Sequence, residues 1–248
     1  MVVAPYISAG SAAICAQEGI GYADLAGNCR LCFGQVYIQR EGRPNPAAAR
    51  RDLRSLYSPK AERVLRVLLA DPGGPWKMQP LAAEARVSLG QAANVKKLLA
   101  DREWIRVTRD GFALTEPEAL LAEWADNYDG RRSAAADFYT LLSIGQVESE
   151  LARICRQAGI RCALAGFSAA ARLAPAVRYQ RAMAFVAGNL ERVADLLGLK
   201  PVTSGPNVRL LAPYDDGVFL GAQEVGDAAI VSPVQAYLDL RSKAGRGA

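Results

Sequence analysis

Between residues 88 and 115, "SLGQAANVKKLLADREWIRVTRDGFALT", the hydrophobic period changes partway along. Ala92, Val95, Leu98 and Leu99 recur at the spacing of one helix face. Gly90, Ala93, Asn94 and Lys97 fall on the opposite face, with Lys96 beside them. The pattern then shortens to that of strands. "REWIRVT" and "GFALT" flank Arg109-Asp110-Gly111, a hairpin signal. Alternation points Ile105 and Val107 inward and Arg106 and Thr108 outward. Ser88, with Gln91 three residues on, is a capping-box start for the helix. Upstream, Ser58-Pro59 opens a helix whose apolar side is Val64, Leu65, Val67, Leu68 and Leu69. "DPGGP" at 71–75 ends it, and a second helix from about Pro80 to Arg86 turns Leu81, Ala82 and Ala85 inward. Helix, helix, turn, helix, hairpin is the order of a winged helix-turn-helix.

Before this stretch, "MVVAPYIS" is strand-like, "AGSAAICAQEGIGY" helix-like, and "NCRLCFGQVYIQR" a hairpin turning at Gly34. A strand that begins at residue 2 points to a missing upstream part or a naturally short domain, and about forty residues with three strands make a poor core alone. A basic, proline-bearing segment follows. Arg40, Arg43, Arg50, Arg51, Arg54 and Lys60 outnumber Glu41 and Asp52, which reads as a solvated linker or a basic arm. After residue 131, strand patterns ("FYTLLS", "IRCALAGF", "RYQRAMAFVAG", "NVRLLAP", "GVFLGA", "AAIVS") interleave with helix patterns. Ser143 with Gln146, Asn189 and Pro233 open three of those helices. The expected class is α+β. The expected division is 1–42, a linker at 43–57, the winged helix at 58–130, and an α/β domain at 131–248.

Composition narrows the chemistry. The 248 residues hold no histidine, which removes histidine triads and histidine-ligated metals. Five cysteines without a secretory segment point to a reducing cytoplasm, and no apolar run reaches membrane-span length. The net charge of +5 permits nucleic-acid contact without demanding it. Cys29 and Cys32 form a lone CxxC inside a strand, a poor metal or redox geometry, so core packing is the default. "AGFSAAARL" joins a strand to a helix through Gly166 and Ser168, as nucleotidyltransferases begin a phosphate cradle. Such enzymes need alternating carboxylates on the next strand, which here reads Ala182-Met183-Ala184-Phe185-Val186. Asp215-Asp216 is adjacent rather than alternating, so the domain is nucleotidyltransferase-like without the metal carboxylates, and Gly166 and Ser168 serve packing and capping. Asp24 reads as a turn residue, since a nuclease would need further carboxylates and a lysine nearby. No cofactor or metal is expected.

On the winged-helix reading, Ser88, Gln91, Asn94, Lys96 and Lys97 on the third helix, with Arg106 and Arg109 on the wing, are the candidate DNA-binding residues. The bland reading is a solvated helix face on a protein-assembly module. "GIGYADLAGN", residues 58–115, "ALAGFSAAARLAP" and the closing "VSPVQAYLDL" together resemble AbiEi-type antitoxins and transcriptional regulators of type IV toxin–antitoxin systems. The resemblance implies a restriction-endonuclease-like piece before the winged helix, present here only in part. It also implies repression of the chain's own operon through double-stranded operator DNA. Its last implication is the neutralisation of a nucleotidyltransferase-like toxin without stable contact. The alternative is an enzyme, nucleotidyltransferase-like or nuclease-like, with cryptic activity.

Overall fold

The computed structural model describes residues 1–43, 45, 56–175 and 178–242. The chain divides into two compact units, 1–55 and 56–248. In the first, β1 (Val2–Ala4) leads through α1 (Ala9–Gln17) to β2 (Tyr22–Asp24), β3 (Cys29–Phe33) and β4 (Val36–Arg40). β1 lies parallel to β2, so a crossover is needed, and α1 supplies it. The antiparallel steps β2–β3 and β3–β4 complete the sheet. Gly34 makes the β3–β4 turn at φ +57°, as the sequence predicts. β2 is a strand the sequence reading missed. Asp24 closes it and organises the neighbouring loops. Its carboxylate accepts from the Ile7 N–H (3.0 Å), the Asn28 N–H (2.8 Å) and the Asn28 side-chain amide (2.9 Å). Among the described residues of this unit only Ile7, Tyr22 and Asn28 are buried. Cys29 is half-buried and Cys32 exposed on β3. Of the basic segment, Arg50, Arg51 and Arg54 lie outside the described residues.

The second unit opens with α2 (Pro59–Ala70), α3 (Met78–Glu84), α4 (Leu89–Ala100) and the hairpin β5 (Ile105–Thr108) and β6 (Gly111–Leu114). α4 buries Ala92, Val95, Leu98 and Leu99, the four positions its periodicity assigns to the core. α3 begins two residues earlier than expected and buries Leu81 and Ala82. The hairpin corrects one expectation: Val107 does not pack inward but is 62% exposed. β6 carries the inner face instead, with Phe112, Ala113 and Leu114 all buried. The reason is a third partner. Trp76 bridges Phe112 on the side away from β5, with N–H···O bonds of 2.7 and 3.1 Å. β6 is therefore flanked on both sides and β5 is an edge strand.

Next come α5 (Pro117–Asn127) and a 3₁₀ turn at Gly130–Arg132. The remaining elements are β7 (Ala134–Tyr139), α6 (Ile144–Gln157), β8 (Cys162–Leu164), α7 (Gly166–Leu173), β9 (Ala182–Val186) and α8 (Leu190–Leu196). After them come β10 (Lys200–Pro201), β11 (Val208–Ala212), β12 (Gln223–Val225), β13 (Ala228–Ile230) and α9 (Pro233–Arg241). Among the described residues the strands form one sheet in the order β10-β7-β11-β9-β8-β13-β12. Parallel and antiparallel steps mix: β11–β9 and β8–β13 are parallel, β7–β11 and β8–β9 antiparallel. The whole is mixed α+β. Two expectations shift. The strand read at "FYTLLS" lies earlier, because Ala134–Tyr139 pairs with β11 and ends there. "GVFLGA" is no strand; Asp216–Phe219 forms a 3₁₀ turn, capped by the Asp215 carboxylate accepting from the Gly217 N–H at 2.7 Å.

Candidate nucleic-acid interface

Ser88 is the N-cap of α4, its hydroxyl oxygen accepting from the Gln91 N–H at 3.2 Å. That bond fixes where the helix starts and which residues face out. Gly90, Ala93, Asn94 and Lys97 are exposed, as the opposite-face reading expects, and Gln91 is half-buried. Lys96 is not fully outward: it is half-buried, its ammonium 5.1 Å from the centre of the Phe112 ring. Arg106 on β5 and Arg109 at the turn are exposed. Leu89 at the helix start is 50% exposed and extends the same face, a position the sequence reading passed over. Gly111 carries more than the turn. Its φ is +150°, and a Cβ there would meet the Trp76 carbonyl oxygen at 2.5 Å. The hairpin and the Trp76 segment are thus held together through a position that excludes side chains.

The base of this module is a buried polar lattice. Sequence periodicity gives α2 one apolar side, yet Glu62, Arg63 and Arg66 are buried with the leucines. Arg63 grips Asp215 with two bonds, 2.6 Å from Nε and 2.9 Å from a terminal nitrogen, and donates to the Arg86 carbonyl at 3.3 Å. Glu62 accepts from Arg132 at 2.8 Å and from the Tyr214 hydroxyl. Arg66 donates to Gln235 and to the Tyr214 hydroxyl, and stacks its guanidinium 4.8 Å over the Trp124 ring. Buried charges hold their places only when paired, and here each pairs across 70 to 170 residues of sequence. The lattice extends to α9, where the Gln235 amide donates to Tyr128 Oη (2.8 Å) and to Asp239 (2.7 Å). Burial pushes the Asp239 carboxyl up to about 7, against the hydrogen bonds that favour its charge.

Gly166, where the sequence resembles a phosphate cradle but packing is expected, sits at φ +49°. The cradle is already filled. A Cβ at Gly166 would run into Met183 Cε, and the Gly166 N–H donates to Asp239 at 3.3 Å. Ser168 Oγ accepts from the Met183 N–H at 2.9 Å, which ties α7 to β9. Asp215 is held by Arg63, whereas Asp216 pairs with Arg161 at 2.7 Å, so the adjacent carboxylates turn to different partners. Among the described residues no three His, Cys, Asp or Glu side chains gather as metal ligands would.

Residues 113–247, from within β6 through α9 and more than half of the chain, match the family model described as transcriptional regulator, AbiEi antitoxin, type IV TA system. The chain belongs to this family. No curated protein and no solved structure matches it. No helix among the described residues is long and apolar enough to cross a membrane.

Proposed function

We propose that the chain is a DNA-binding repressor of its own operon and an antitoxin of a type IV toxin–antitoxin system. In this reading α2, α3, α4 and the β5–β6 wing are a winged helix-turn-helix, and α4 enters the major groove of double-stranded operator DNA. The observation that carries the reading is the two-sidedness of α4. Its core side is closed, and its outer side presents small residues, Asn94 and Lys97 beside the arginines of the wing. Small residues let the backbone approach, Asn94 reads a base edge, and Lys96, Lys97, Arg106 and Arg109 meet phosphates. Ser88 and Gln91 place the helix start against the backbone. The domain after residue 131 counteracts a nucleotidyltransferase-like toxin without stable contact, and the protein works in the cytoplasm. Residues 1–42 are an endonuclease-like piece.

The chain acts without catalysis in this account. A cradle stoppered by Met183 and Asp239, next to a strand without carboxylates, supports that against the nucleotidyltransferase-like alternative. For the nuclease-like alternative, the bonds that occupy Asp24 leave it a structural role. The test is a mobility shift with duplex from upstream of the chain's own gene. A specific shift that Asn94→Ala makes less selective, by about 1–3 kcal/mol against mutated sites, is the expected result. Equal affinity for operator and unrelated duplex would contradict it.

A further inference from the structure

Phe167, next to Gly166 in the chain, lines a cavity of about 500 Å³. It is lined by Phe167, Arg178, Tyr179, Arg181, Pro206 and Asn207, among others, and no acidic residue lines it. Two carboxylates that interact with the lining, Glu148 and Asp137, each hold an arginine outside it. Buried Glu148 accepts from Arg172 at 2.5 Å and from the Tyr179 hydroxyl at 3.0 Å. Asp137 is held by Arg209 through two 2.8 Å bonds, which together with the nearby charge of Arg181 keep its carboxyl below the usual range. Arg181 spends only its Nε, on the Pro206 carbonyl at 3.2 Å. Arg178 is exposed and forms no hydrogen bond or ion pair with a described residue. Phe167, on the first turn of α7, leaves 42% of its surface exposed at the same cavity. The wall behind is stiff: Asn207 bonds both ways with the Thr140 backbone, at 2.9 and 2.8 Å.

We propose that this cavity binds a nucleotide, its phosphates between Arg178 and Arg181 and its base on Phe167. Two guanidinium groups with spare donors suit phosphate oxygens, and an exposed ring accepts any base by stacking. The volume falls in the range of small-ligand sites. With no carboxylate at hand to hold a divalent cation, binding proceeds without metal. The same chemistry comes from two sources, a free nucleoside triphosphate or the terminal nucleotide of a single strand. A domain that covers the nucleotide end on which a nucleotidyltransferase works opposes that enzyme without touching it. This last link, unlike the binding, rests on the antitoxin reading.

Calorimetric titration of the full chain in chelator tests the site, with ATP, GTP, a short oligoribonucleotide and inorganic triphosphate as probes. A nucleotide or the oligoribonucleotide is expected to bind with Kd below about 1 mM and more tightly than inorganic triphosphate. Arg178→Ala with Arg181→Ala should weaken binding by about tenfold or more, two lost charge-assisted contacts. Phe167→Ala should weaken the base-bearing probes and spare triphosphate. Tighter binding of ATP or GTP identifies the free nucleotide, and tighter binding of the oligoribonucleotide identifies the strand end. The proposal is overturned if no base-bearing probe binds, if triphosphate alone binds as well, or if the double variant binds unchanged. Equal urea midpoints for variants and parent confirm that the fold survived. Operator binding by the same variants stays at the parent level, so this site and the DNA-docking reading fail independently.

Discussion

Asp239 is a buried carboxyl group, with its folded pKa raised to about 7. An unfolded aspartate titrates near 3.9. Between roughly pH 4 and 7 the folded chain therefore keeps a proton that the unfolded chain has released, and stability falls as pH rises through that window. Asp239→Asn should flatten this slope, gaining roughly 2–4 kcal/mol on the parent between pH 4.5 and 7.5. Urea midpoints measured across that range check it, and parallel curves for the two proteins would rule it out. Arg63 sits at the other end of the lattice. Arg63→Ala leaves Asp215 about nine-tenths buried without its bidentate partner and should cost about 2–4 kcal/mol, against under about 0.5 for Lys97→Ala on the exposed face. Neither role was visible from sequence. Arg63 and Asp215 are 152 positions apart, and a charged residue on a helix looks solvated until its partner is brought to it. Asp215 read only as one of two adjacent carboxylates, whereas it also caps the 3₁₀ turn.

At the scale of elements, α4 and α2 were both legible as helices, but the all-round burial of α2 was not. α4 packs one face, so its apolar period alone marks the core. α2 is covered all round from Ala61 to Leu68, and the polar part of its cover comes from later elements. The hairpin was legible as a hairpin, but its inner face was not. Alternation assumed β5 and β6 shared one side equally, whereas Trp76 joins β6 and leaves β5 at the edge. β7 was displaced because "AAADFY" has few strand-forming residues and becomes a strand by pairing with β11. Gly111→Ala tests the three-part wing. The added Cβ has no room against the Trp76 backbone, and φ is strained for any side chain. A loss of about 2–3 kcal/mol is expected, with weakened DNA binding. Unchanged urea stability would show that Trp76 and the hairpin are not joined there.

Across residues 56–242, helices and sheet share one lattice: α2 reaches Asp215 and Gln235, and Asp239 of that lattice fills the Gly166 cradle. In the proposed reading α4 and the β5–β6 hairpin form the surface offered to a duplex. The mild net charge of +5 makes local placement of cations decisive rather than total charge. The filled cradle was half legible: the strand without carboxylates was evident in sequence, but its stoppers, Met183 and Asp239, required the fold. The central claim is that Lys97, Arg106 and Arg109 touch DNA phosphates together. Its most direct measurement is the salt dependence of operator affinity, by fluorescence anisotropy, for the parent and for the triple variant Lys97→Ala, Arg106→Ala, Arg109→Ala. Three lost phosphate contacts should reduce the log–log slope by about 2.7 and weaken binding at every salt concentration. A triple variant with the parent's slope and affinity would place the duplex elsewhere and contradict the account.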